Sequence, residues 1–221
     1  MAESIIQRLI DAKVITQEDI DEYNIQRATE LIKQQAEEHK VEKPIYSKIE
    51  NGVLIKFDER DLDEFGNYET PDIVKKIKKY AFSKANAKTI ILGESVRYIE
   101  DYALWDCNAK KIIIKGNVKK IGAGAFHLCM YLEEIELPDS LEEISQSMLD
   151  NCISLREIKL PKNLKHIRSY AFARCTSLIS VSDFPESLQS VGIYVCVHSP
   201  VEDEFNNMVK NHPCTAPKIY C

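Results

Sequence analysis

Hydrophobic positions recur every 22 to 24 residues from residue 74 onward, and five full units and the start of a sixth can be aligned. Three columns of equivalent positions stand out, the second beginning three residues after the first. A unit of this size cannot bury its own apolar face, so the pattern predicts a stack of units with one continuous core. The columns are Val74, Val96, Val118, Leu141, Leu164 and Leu188; Ile77, Ile99, Ile121, Ile144, Ile167 and Val191; and Phe82, Leu104, Phe126, Leu149 and Phe172.

The second half of each unit alternates apolar and charged residues, as in "LEEIELP" (132–138) and "LREIKLP" (155–161). Alternation with period two is typical of a strand with one face inward and the other facing water. The sequence therefore predicts an α/β solenoid of five to six repeats over residues 68–198, with one parallel strand stacked on the next.

The stretch "KKIGAGAFHLC" (119–129) resembles a phosphate-binding loop because Gly122 and Gly124 lie two residues apart. Such a loop must precede a full helix, and the segment between successive strands is too short for one. Gly122 follows the repeat isoleucine, where Lys78, Glu100 and other residues stand in the sister units. We therefore interpret Gly122 as a tight-turn residue.

Four of the seven cysteines follow the repeat period: Cys107, Cys129, Cys152 and Cys175. Each comes three residues after the third column, and Ala85 takes this place in the first unit. A disulfide framework or a zinc site does not repeat in this way, so these cysteines are predicted to be reduced packing groups.

The motif "I-G-x-x-A-F-x-x-C-x-x-L-x-x-I-x-L-P-x-S/N-L", read from Ile121 to Leu141, resembles the BspA-like leucine-rich repeat family. The resemblance covers about residues 68–198, and the segment upstream also resembles the lead-in to such arrays. It implies a leucine-rich-repeat solenoid that acts as a binding module without catalytic residues. Many members of the family lie on cell surfaces.

The two ends of the chain differ from the repeats. Residues 1–40 are predicted to form a helical pair that closes the array or self-associates. Residues 41–67 contain Asn51-Gly52 between two alternating runs, which predicts a hairpin followed by an acidic loop. Residues 199–221 are predicted to be a cap, in which Ser199 caps a helix, Pro200 begins it, and "PKIYC" forms a last strand.

Charge is unevenly distributed within the net −6: the balance is −9 for residues 1–73, +6 for 74–117 and −3 for 118–221. A "basic stripe" lies between the first two columns of the first three units and is made of Lys75, Lys76, Arg97, Lys119 and Lys120. Stacking places like charges about 5 Å apart, so counter-charges are expected. A solvated face, the acidic N-terminal segment and an external anion are the three alternatives.

On the strand faces, Lys110, Glu133 and Arg156 alternate in sign down one column, which is adequately explained by cross-strand pairing. Ile91 and Ile113, by contrast, are predicted to point outward next to each other. Two adjacent exposed isoleucines indicate a cover, either the N-terminal element or a partner.

A metal site is the weaker interpretation of the mirrored "CVH" and "HPC". Cys196, His198, His212 and Cys214 have the ligand types of zinc but not the usual spacing. No catalytic set is recognisable, and neither a cofactor nor an enzyme is predicted.

The sequence thus predicts a non-catalytic protein-binding module whose tentative binding residues are the basic stripe with Ile91 and Ile113. A nucleic-acid- or polyanion-associated protein that uses the stripe is the alternative. No apolar run is long enough to span a bilayer and no signal peptide is recognisable, so an intracellular, cytoplasmic protein is expected.

Overall fold

The computed structural model describes residues 45–212. The predicted helical pair within 1–40, the strand at 217–221 and Cys214 lie outside these residues. We number the coils of the solenoid by the repeat units: coil 1 is 74–95, coil 2 is 96–117, coil 3 is 118–140, coil 4 is 141–163, coil 5 is 164–187, and coil 6 begins at 188.

Short strands and one C-terminal helix make up the described part. After the lead-in strands, coils 1, 2, 4 and 5 each carry two strands, separated by turns. The elements are β1 (Lys48–Glu50), β2 (Val53–Lys56), a 3-10 helix (Glu59–Asp61), β3 (Asn67–Glu69), β4 (Lys76–Ile77), β5 (Thr89–Leu92), β6 (Tyr98–Ile99), β7 (Lys111–Ile114), β8 (Glu134–Glu136), β9 (Glu143–Ile144), β10 (Glu157–Ile158), β11 (His166–Ile167), β12 (Ser180–Val181), β13 (Ser190–Val191) and α1 (Glu202–Asn211).

The strands form two parallel ladders on different sides of the solenoid. The first ladder runs β2-β4-β6 and then β9-β11-β13, and single bridges at Ile99–Ile121 and Lys120–Glu143 join its halves through coil 3. The second ladder runs β3-β5-β7-β8 and continues as β10-β12. Only β1 is antiparallel among the described strands, because it forms the predicted hairpin with β2.

A third side, which we call the turn side, carries the backbone from the first ladder to the second. Its N–H groups donate forward to the next coil: Phe82 N–H to the Ala103 carbonyl at 2.9 Å and Leu104 N–H to Ala125 at 2.8 Å. Because these N–H groups bond to the next coil, the turn segments form no helix of their own. α1 is therefore the only α-helix in residues 45–212. The predicted α/β class is therefore corrected to a mostly parallel β-solenoid.

The core is the predicted set of columns. The valine/leucine column and the phenylalanine/leucine column are fully buried in every coil named above, and so are the repeat isoleucines to within a few per cent. Val191, at the end of the second column, is half-buried. The repeat register read from the sequence is therefore confirmed.

The C-terminal helix begins later than predicted, because Ser199 does not cap it. The helix starts at Glu202, and Val201 stands before it without a side-chain cap. Ser199 instead continues the cysteine column: its hydroxyl donates to the Phe172 carbonyl at 2.9 Å and accepts from Cys175 N–H at 3.1 Å. The cysteines use their thiols in the same way, as Cys175 donates to the Leu149 carbonyl at 3.2 Å.

Candidate binding surface

The basic stripe lies along the outer side of the first ladder. Lys76 lies on β4 in register with Tyr98 on β6, and Lys120 forms the bridge to Glu143 on β9. Lys75, Arg97 and Lys119 occupy the preceding position in coils 1, 2 and 3. Strand stacking therefore brings all five predicted residues to one face.

Three of the five cations have a carboxylate partner from the next coil. Lys76 Nζ lies 2.5 Å from Glu100 Oε1, Lys119 Nζ lies 3.3 Å from Glu142, and Lys120 Nζ lies 3.0 Å from Glu143. Hydrogen bonds from the Lys76 side chain and the Lys79 N–H hold the pKa of Glu100 below its ordinary value. The counter-charges of these three lysines thus come from within the solenoid.

Glu142 and Glu143 each bind a second cation from coil 5. Lys165 Nζ lies 2.8 Å from Glu142 Oε2, and Arg168 Nε donates to Glu143 Oε2 at 2.7 Å. Lys165 and Lys119 hold the pKa of Glu142 below its usual range. Burial raises the pKa of Glu143, but Lys120 and Arg168 outweigh burial and leave it lowered. Four cations therefore share two carboxylates.

Lys75 and Arg97 differ from the other three cations of the stripe. No carboxylate of residues 45–212 lies within ion-pair distance of either side chain, and both residues are exposed. The Arg97 guanidinium donates instead to the carbonyls of Glu94 and Val96, which holds it against its own turn.

Tyr98 lies between the lysines of coils 1 and 3 on the outer face and is 66% exposed. Its neighbours in the column are Lys76 and Lys120, and Arg97 precedes it in the chain. Tyrosine and arginine are the residue types enriched at binding hot spots. The sequence analysis did not select Tyr98, although its position between the first two columns already places it on the outer face.

Ile91 and Ile113 lie on the second ladder, away from the stripe. They pair in register on β5 and β7, while Ile90 and Leu92 point inward. They point outward next to each other as predicted, but both are half-buried rather than exposed. Charged side chains lie beside them: Lys115, just after β7, reaches two strands back to Glu69 on β3 at 2.9 Å, and Lys111 contacts Glu134 and Glu136 at 2.9 and 2.8 Å. The structure gives these isoleucines no common site with the stripe.

The turn side holds a polar cluster that the sequence did not reveal. Asp150 is 4% exposed, and its Oδ2 lies 2.5 Å from Arg174 Nη2 and 3.6 Å from His127 Nδ1. Burial raises the pKa of Asp150 against the opposing effects of Arg174 and His127. Because His127, Asp150 and Arg174 come from three consecutive coils, only the stacking register would have predicted the cluster.

The remaining candidates are dispersed. Cys196 is buried in the aromatic column and His198 is exposed, while the His212 ring packs against Phe184 at 5.6 Å. Within residues 45–212, no group of three or more metal-binding side chains comes together. His166 Nδ1 lies 2.9 Å from Ser190 Oγ on the neighbouring strand.

The geometry defines a class of protein: a β-solenoid of short repeats with a cationic, aromatic outer face. A family model for the BspA-type leucine-rich repeat region matches residues 60–179 and 105–204, in six copies. The chain therefore belongs to the BspA-type leucine-rich repeat family, as its repeat motif predicted. In the described residues no helix has the length and apolarity needed to cross a membrane.

Three solved structures illustrate the similarity. A leucine-rich repeat protein from Bacteroides ovatus is 30% identical, with 61% of this chain and 41% of that chain covered and a TM-score of 0.49. The T. pallidum leucine-rich repeat protein is 27% identical, with 63% and 65% covered and a TM-score of 0.50. The pneumococcal vaccine antigen PcpA is 22% identical, with 69% and 44% covered and a TM-score of 0.58.

The chain spans less than two thirds of the length of each of these three proteins. No curated protein matches it.

Proposed function

We propose that this chain is a non-catalytic protein-binding module that uses the basic stripe and Tyr98 as its binding surface. The supporting observation is the 66% exposure of Tyr98 between the lysines of the neighbouring coils and Arg97, which has no carboxylate partner among residues 45–212. A tyrosine buries a large amphipathic ring on binding at little cost in conformational entropy. Membership in a repeat family whose solenoids present extended binding surfaces supports the same proposal. The intracellular location of the partner stays a prediction.

A polyanion such as nucleic acid is the second candidate, and the exposed Lys75 and Arg97 are the observation in its favour. Three carboxylates, Glu100, Glu142 and Glu143, lie among the cations of the stripe. A phosphate backbone carries a charge on every residue and would meet these carboxylates as well as the cations, whereas a peptide can place its carboxylates opposite the cations alone. We therefore favour a protein partner.

The combined substitution of Arg97→Ala and Tyr98→Ala tests the proposal. Extracts of the cells that make the protein are passed over the immobilised full-length chain, and retained proteins are quantified by mass spectrometry. We expect a specific protein to be retained by the unsubstituted chain and lost from the double variant, and its binding is then measured with purified protein.

The matched control is Tyr131→Ala, which removes another tyrosine that is 56% exposed and lies outside the stripe. It should retain the partner. The proposal is wrong if the double variant and the control retain the same proteins in the same amounts.

A further inference from the structure

We infer that the segment of the partner that binds the basic stripe is a short, extended, acidic peptide. This inference rests on the proposed function and names the chemistry of its partner. It follows from the number of cations on the face, their spacing along the solenoid, and the limits of the positive region.

The first step is the excess of cations over carboxylates. Glu142 is shared by Lys119 and Lys165, and Glu143 by Lys120 and Arg168. The side chains of Lys119 and Lys120 are 72% and 70% exposed, whereas that of Glu143 is 12% exposed. Either lysine can therefore turn toward a partner carboxylate and leave its glutamate paired with the coil 5 cation. Such an exchange avoids the cost of leaving a partly buried carboxylate without a partner.

The second step is spacing. Lys75, Arg97 and Lys119 occupy equivalent positions in three consecutive coils, so they span about 10 Å at the usual inter-strand distance of about 4.8 Å. An extended peptide rises about 3.3 Å per residue and covers this span with three or four residues. Side chains of an extended peptide point alternately to its two sides, so two carboxylates on the same side contact cations of the stripe while the peptide backbone passes Tyr98.

The third step separates a peptide from a nucleic acid. The affinity of a nucleic-acid complex grows with the number of phosphates neutralised. Here the positive run is confined to three coils, because coil 4 contributes Glu142 and Glu143 at the same positions. A face of this length accommodates an acidic peptide but only two or three nucleotides.

The test uses random twelve-residue peptides displayed on phage and selected on the full-length protein. We expect the selected peptides to be enriched in Asp and Glu. Binding of the synthesised peptides should weaken by about tenfold or more when Lys119→Gln and Lys120→Gln are combined, and also with Arg97→Ala. The matched control combines Lys110→Gln and Lys162→Gln, which removes two exposed lysines, each paired with one acid, outside the stripe. It should bind the peptides unchanged.

The outcomes distinguish this inference from the proposed function. Selected peptides that are not acidic but are lost with Tyr98→Ala would overturn the acidic partner and leave the stripe as a protein-binding surface. If the peptides bind equally well to every variant of the stripe, or if the selection enriches no peptide, both the inference and the proposed function are wrong. A twelve-nucleotide thymidine oligomer serves as the second probe. If it binds more tightly than the selected peptides and weakens steeply with salt, the partner is a nucleic acid and the inference is wrong.

Discussion

Two glycines in coil 3 are required by contacts with coil 2, each for a different reason. A Cβ on Gly122 would lie 2.2 Å from the backbone nitrogen of Asp101, so only a hydrogen fits there. Gly124 has φ +59°, and a Cβ on it would lie 2.5 Å from Cε1 of Tyr102. The turn explanation drawn from the sequence is wrong for Gly122, which is not in the left-handed region. Close approach between coils cannot be read from one repeat alone.

Gly124→Ala should therefore lower the free energy of unfolding by about 2–4 kcal/mol, which combines left-handed strain with overpacking. Tyr102→Ala removes the ring that the new Cβ would meet but leaves the backbone strain. In a double-mutant cycle measured by chemical denaturation, the substitution at position 124 should cost less in the Tyr102→Ala background. Additive effects at the two positions would show that the Tyr102 ring does not limit the site.

The cysteine column shows how much the sequence predicts at the residue scale. The period identified Cys107, Cys129, Cys152 and Cys175 as packing groups, and all four are free and buried. The thiols also donate to carbonyls of the preceding coil, as in Cys129 Sγ to the Leu104 carbonyl at 3.1 Å. This polar role could not be predicted, because Ala85 at the same position has no hydrogen to donate.

At the scale of elements, the start of the C-terminal helix shows two local patterns in competition. Ser199-Pro200 is typical of a helix start, yet Ser199 lies 24 residues after Cys175 and so falls in the cysteine column. Packing prevails because the hydroxyl satisfies two buried backbone groups, Cys175 N–H and the Phe172 carbonyl. The hairpin at Asn51-Gly52, by contrast, was predictable because both residues adopt the positive φ that its turn demands.

Substitutions of Ser199 distinguish a helix cap from a column residue. Aspartate is as good a cap as serine, so a capping Ser199 would tolerate Ser199→Asp. In the buried column the same change places a carboxylate beside the Phe172 carbonyl, and we expect a loss of roughly 3 kcal/mol or more in thermal or chemical unfolding. Ser199→Cys, which restores the residue type of the column, is the control and should cost much less. Equal stability of the aspartate and cysteine variants would contradict the column assignment.

At the scale of the whole molecule, stacking turns the repeat into continuous lines of charge. Two chains of ion pairs cross coils 3 to 5, Lys119–Glu142–Lys165 and Lys120–Glu143–Arg168. The position of the stripe was predictable from the repeat alignment, but the source of its counter-charges was not, because carboxylates of the neighbouring coils were not among the alternatives considered. The pairing of each glutamate with two cations could not be predicted either, because side-chain geometry decides which neighbours meet. The repeat period carries no information about the partner, because residues at the outer positions can vary without affecting the core.

These chains of charge give the stability of the solenoid a pH dependence whose sign follows from the lowered pKa values. The folded-state pKa of Glu143 and that of Glu142 lie below the ordinary 4.5. Their contribution to stability is therefore present above about pH 4.5 and is lost as the pH falls through the lowered folded-state values. Glu143→Gln removes one carboxylate and should cost about 1 kcal/mol at pH 7, since both of its cation partners are largely exposed to solvent.

The difference in unfolding free energy between the unsubstituted protein and Glu143→Gln should shrink toward zero below that window, because both then carry an uncharged group at position 143. Urea denaturation at pH 7, 5 and 3 measures it. Glu186→Gln is the control, since Glu186 is exposed and has no ion-pair partner among the described residues. A difference that stays constant from pH 7 to pH 3 would mean that the neutral side chain of Glu143 stabilises the coil by packing, and that the two cations around it contribute nothing. A difference that vanishes on acidification would show that the stabilisation comes from the charge interaction of Glu143 with its two cations. It would thereby support the excess of cations that the carboxylates of a partner would meet.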